Sequence, residues 1–140
     1  MHLQLYSRIN KENKMIKLTT EQSFDFYLTS LERCGMHILE LTNNEIEYQI
    51  FEELAMDYPG SLSKYTLTVL EESGIIDENI AHLSKDLQTK LLILERGNLL
   101  WNVDALKKSS EWKEMFQLSD EIKELIHQKW SDEELVYLRE

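Results

Sequence analysis

The side chains best equipped for chemistry in this 140-residue chain are one cysteine, four histidines and many carboxylates. Glu124-Leu125-Ile126-His127 puts a carboxylate and an imidazole three residues apart on one helix face. Di-iron bundles use that spacing twice, together with further inward-facing glutamates. Here it occurs once, with Glu124 on the polar side of its helix, so no metal site is expected. Asp77 and Asn79 begin a faint calcium-loop pattern, but a third ligand and the central glycine are missing, and Ile80 opens an apolar stripe instead. His2, His37, His82 and His127 lie at no zinc-ligand spacing from a cysteine or from one another. Cys34 falls on an apolar helical stripe, where a thiol acts as a small packed side chain. The chain has no Gly-x-Ser-x-Gly turn, no phosphate loop and no dinucleotide fingerprint. Adjacent acids such as Glu52-Glu53 and Glu71-Glu72 point in different directions on a helix. The expectation is a protein without catalytic residues, metal or cofactor, and not an enzyme.

The elements that would position these groups read as helices. With 42% hydrophobic and 29% charged residues the chain is of globular composition, and one proline with four glycines is too few for an all-β domain. Residues 1–14 are basic and stand apart as an extension; residues 15–140 form one helical domain. Thr19 and Gln22 have capping-box spacing, and Phe24, Tyr27, Leu28, Leu31 and Cys34 follow on one helical face. Gly35 is expected to end that helix in a left-handed conformation. Met36–Leu41 is a short apolar connector that is helical or extended. Thr42 and Glu45 form a second capping box, ahead of the stripe Ile46, Ile50 and Leu54, widened by Phe51 and Tyr58. Asp57-Tyr58-Pro59-Gly60 is expected to close this helix, since proline resists continuation. Ser61 then caps a helix carrying Leu62, Tyr65, Val69 and Leu70, ended by Gly74. Asp77 starts a stripe of Ile80, Leu83, Leu87, Leu91 and Leu94 that Gly97 terminates. A short helical stretch spans Asp104 to Lys108. Ser109 or Ser110 caps a long helix with Trp112, Met115, Phe116, Ser119, Ile122, Ile126 and Trp130 near one face. Ser131 and Glu134 open a terminal turn. The expected fold is an all-α, single-domain bundle of five to six amphipathic helices.

Charge limits the partners. The net charge is −11, and residues 19–60 hold nine carboxylates against Arg33 alone. A negative field of that size disfavours nucleic acid and favours a basic protein. The longest apolar run, Leu91–Leu94, is far too short to cross a bilayer. A single cysteine and an N-terminus without an apolar stretch make the cytoplasm the expected location.

At 100° per residue, Glu45, Gln49, Glu52, Glu53 and Met56 share the side of their helix opposite the apolar stripe. Tyr58 beside Asp57 is expected to project at the Pro-Gly break as a contact residue. These seven residues form the candidate partner-binding face. Farther along, Leu99-Leu100-Trp101, Leu106, Ser110-Glu111-Trp112 and Leu118-Ser119-Asp120-Glu121 give residues 60–130 a resemblance to small helical immunity proteins encoded beside polymorphic or contact-dependent toxins. That resemblance implies binding of a cognate toxin domain and cover of its active site, and it supplies no catalytic residue. The competing class is a homodimeric helical adaptor, for which the broad apolar arc of the last long helix, including Leu118 and Leu125, would be the subunit interface.

Overall fold

The computed structural model describes residues 17–140, so the expected extension at residues 1–14 lies outside the described residues. Seven helices follow one another: α1 Thr20–Glu32, α2 (43–61), α3 Lys64–Glu72, α4 Glu78–Gly97, α5 Val103–Lys108, α6 Ser110–Lys129 and α7 Asp132–Leu138. The fold is all-α, with no strand among the described residues, and the count exceeds the five or six expected. The additional pieces are short. The connector after α1 is a 3-10 turn, Met36–Glu40, and α5 and α7 are complete helices of six and seven residues.

Local side-chain chemistry starts the helices. Thr19, Thr42 and Ser131 each accept a hydrogen bond from the backbone three residues on, and Gln22, Glu45 and Glu134 return it, making three complete capping boxes. Asp77 caps α4, Asn102 caps α5 and Ser109 caps α6. For α3 the cap is Ser63; the expected Ser61 sits inside the preceding helix, where its hydroxyl bonds to that of Ser30 at 2.6 Å. Gly74 does adopt the left-handed conformation, with φ 81°, and its neighbours close a Schellman motif through Ile75 N–H to Leu70 C=O and Gly74 N–H to Glu71 C=O.

Helix α2 departs most from expectation. It does not stop at Asp57 but runs through Pro59 to Ser61. Its middle, Glu47–Leu54, is π-helical, and the Ala55 N–H that closes it reaches back five residues to Ile50. Proline costs a helix one donor and crowds the preceding turn. Pro59, however, is exposed, while Leu54, Tyr58, Ser61 and Leu62 on either side of it are buried. Continuing the helix buries those four, and water can meet the backbone group that Pro59 leaves unpaired.

Helix α1 packs on α2, α3 and α6, α4 lies along α6 and α3, and α5 covers the start of α6. Phe24, Tyr27, Leu31, Ile50, Leu54, Leu87, Leu91, Met115, Phe116 and Ile122 are all fully buried where these helices meet. Tyr65, expected on the apolar stripe of α3, is 54% exposed; Thr66, Leu67 and Leu70 fill that face instead. Leu118 and Leu125, the expected subunit interface, are partly buried against the core of their own chain.

Two arginines gather acids from the negative half of the chain. Arg33 lies 3.6 Å from Glu53 and 3.8 Å from Asp57. Arg139, just past α7, holds Asp25 at 2.7 Å and Glu32 at 2.9 Å and also donates to Thr29, fastening α7 to α1. No helix among the described residues is long and apolar enough to cross a membrane.

Candidate binding face

The groups considered first for chemistry do not converge. Glu124 accepts from Gln128, and His127 faces Asp132 at 3.4 Å. His127 does border a groove of about 200 Å³ with Glu32, Asp132 and Arg139. That Asp132 side chain is 93% exposed, and no hydroxyl or thiol nucleophile lines the groove. His82 pairs with Asp86 on the outside of α4, and His37 is exposed. No group of three His, Cys, Asp or Glu suited to a metal occurs among the described residues.

Cys34 is fully buried, with its thiol 3.2 Å from the sulfur of Met115. Burial pushes the thiol up from 9.0 to about 12, more than the nearby Ser119 hydroxyl and Lys123 ammonium lower it. Burial also raises the phenols of Tyr27 and Tyr58 above their ordinary 10.0, and the bond to the Glu95 carboxylate adds to the effect at Tyr58. All three groups therefore stay neutral in the folded protein at pH values where the unfolded chain ionises. The stability they supply is whole below about pH 9 and is lost as pH climbs toward 12. Urea midpoints measured across that range should fall steadily, and the thiol should resist a disulfide reagent at pH 8 until urea unfolds the chain. A flat profile with rapid native labelling would contradict this.

The seven residues expected on one face of α2 divide into two sets. Glu45, Glu52 and Met56 are exposed and Gln49 is half-buried. Glu53, Asp57 and Tyr58 turn inward. Glu53 and Asp57 meet Arg33, and the Tyr58 side chain is 1% exposed with its hydroxyl donating to Glu95 of α4. The projecting tyrosine is Tyr48, which is 49% exposed and donates to Glu53 at 3.0 Å. Tyr48, Glu52 and Met56 recur every fourth residue as an exposed line along the π-helical middle of α2 and just past it. π turns are uncommon and recur at functional sites. Exposed Glu47 lies beside the line, and neither it nor Glu52 forms an ion pair among the described residues. Glu45 is committed to the helix cap, where the Thr42 N–H and hydroxyl hold its carboxyl below the usual range.

The face is held rigid from behind. Ile46, Ile50 and Leu54 are fully buried. Phe51 packs edge-on against Trp101 at 5.2 Å and Trp112 at 5.8 Å, and Lys107 of α5 bonds to the Asn43 side chain at the start of α2. What the arrangement offers chemically is recognition: two exposed apolar side chains among unneutralised carboxylates on a fixed helix. Compared with models of known families, with curated proteins and with solved structures, the chain matches none of them.

Proposed function

We propose that this protein acts by binding a basic protein partner through the outer face of α2, in the manner of an immunity protein that covers a toxin domain. The observation that carries this reading is the line Tyr48, Glu52 and Met56, exposed on a helix whose opposite side is anchored in the core. An interface needs desolvated anchors as well as charge, and tyrosine and methionine are both enriched in interface cores. Carboxylates around them steer a cationic partner and reject an anionic one. Elsewhere in the acidic half of the chain, Asp25 and Glu32 share the positive charge of Arg139, and on the inner side of α2 Glu53 and Asp57 share that of Arg33. Among the described residues, only on the outer side of α2 do unpaired carboxylates, Glu47 and Glu52, flank an exposed tyrosine and methionine on one helix, which makes it the strongest candidate face.

The partner to test is the product of the adjacent reading frame, with a basic C-terminal domain as the expected form. Copurification at low salt, weakening as salt rises, is expected for the wild type. Tyr48→Ala should weaken binding about 30-fold, the ~2 kcal/mol of a hot-spot residue. Glu47→Gln with Glu52→Gln should chiefly slow association and flatten the salt dependence. Asp57→Asn is the contrasting control, because that acid faces Arg33. Wild-type affinity in Tyr48→Ala and in the Glu47/Glu52 variant, with the fold verified by circular dichroism, would discard this face.

A further inference from the structure

Helices α3 and α4 form an antiparallel hairpin with a shallow groove of about 250 Å³ between them. Its lining includes Lys64 and Lys85, Glu71 and Glu78, with Leu67 and Ala81 between. Lys64 and Lys85 are equally far in sequence from the middle of the connecting turn, and so are Glu71 and Glu78. Each pair therefore makes one rung across the groove. Seven residues at 1.5 Å rise separate the cationic rung from the anionic one by about 10 Å.

Most of this charge order is unfavourable to the single chain. Each rung sets like charges against each other, and none of the four residues forms an ion pair among the described residues. The order also opposes the dipole of α3. That helix has no acidic residue in its first turn and no basic one in its last; it starts with Lys64 and has Glu71 next to its final residue. Anions are stabilised at helix N-termini and cations at C-termini. Glu78 does suit the first turn of α4, but local stability does not account for Lys64, Glu71 and Lys85, whereas an external partner with the opposite order does.

The geometry points to a second copy of this chain as that partner. A two-fold axis through the middle of the groove turns one copy end for end, so that the lysine rung of each meets the glutamate rung of the other. A two-fold interface requires just such a self-complementary patch. Two hairpins face to face then make a four-helix arrangement. This pairing uses no residue of α2 and leaves that face open to another protein.

Charge reversal tests it on the full chain. By sedimentation equilibrium the wild type should form a reversible dimer that weakens with salt. Lys64→Glu with Lys85→Glu makes both rungs acidic, and Glu71→Lys with Glu78→Lys makes both basic. Each variant alone should self-associate at least about tenfold more weakly. An equimolar mixture of the two should recover a heterodimer, which also shows that both variants are folded. A wild type that remains monomeric throughout overturns the proposal, and binding of a foreign helix with acid and base seven residues apart would then identify the true occupant. Variants that dimerise as the wild type does, or a mixture that stays monomeric, overturn it equally.

Discussion

Trp112→Ala is expected to lower stability by about 3–5 kcal/mol, the range for truncating a buried aromatic side chain. Against the roughly 5–15 kcal/mol that holds a typical domain, that is a large fraction. The ring is wholly buried. It lies 5.5 Å from Trp101 and 5.7 Å from Phe116 between ring centroids, with Phe51 of α2 edge-on to it. Its Nε1–H donates to the Leu100 carbonyl at 2.6 Å, so one side chain joins α6, the loop before α5 and α2. Trp112→Phe separates the parts: most of the packing survives, the Leu100 carbonyl loses its donor, and a cost of about 1–2 kcal/mol is expected. Urea titration at constant m-value measures both. Because Phe51 loses its support, Trp112→Ala should also weaken any partner held on the outer face of α2, although Trp112 is not on that face. A change under 1 kcal/mol would mean that the cluster repacks around the gap.

How far the sequence discloses this molecule depends on whether the deciding contacts are local. The capping boxes at Thr19, Thr42 and Ser131 were legible because cap and responder are three residues apart and need nothing else. The stripes of α4 and α6 were legible because both helices hold the α period for twenty residues. Helix α2 defeats the same procedure. In its π-helical middle each residue turns through less than the α-helical 100°, so a face drawn at a constant angle from Glu45 slips as it proceeds. Asp57 and Tyr58 project outward only if Pro59 and Gly60 break the helix; the helix continues instead, and they meet Arg33 and Glu95. Nothing in the residues 47–54 announces the wider turn. Pro59 is a fair local signal overridden by burial on both sides of it. Even a plain 100° wheel sets Tyr48 opposite Ile46, Ile50 and Leu54, so its exposure is legible in the sequence, whereas the expectation for Tyr58 rests on a Pro-Gly break that does not occur.

Gly35 is the second site where a loss of stability is expected, and its reason is also tertiary. Its φ of 164° is extended backbone open to any residue, so the left-handed ending expected for α1 is not what calls for glycine. The requirement is close approach. A Cβ there would lie 2.8 Å from Lys123 Nζ, and closer still to Asp120 Oδ1, with His37 Nδ1 at 3.0 Å. These are the groups by which α6 finishes α1: Lys123 donates to the Cys34 carbonyl at 2.7 Å, the Ser119 hydroxyl donates to the same carbonyl at 2.8 Å, and Asp120 accepts the Met36 N–H at 3.1 Å. The Lys123 ammonium also complements the negative end of the α1 dipole. Gly35→Ala must push both side-chain tips aside, straining the Lys123 bond to the Cys34 carbonyl and the Asp120 bond to the Met36 N–H, for about 1–2 kcal/mol in all. Because the damage is to specific partners, it should not add to theirs. Asp120→Ala alone should cost about 1–2 kcal/mol. In the double variant the combined loss should fall short of the sum by 0.5 kcal/mol or more, the coupling expected of residues in contact. Strict additivity would mean that Gly35 acts through backbone conformation alone and that the α1–α6 junction is not held by this close approach.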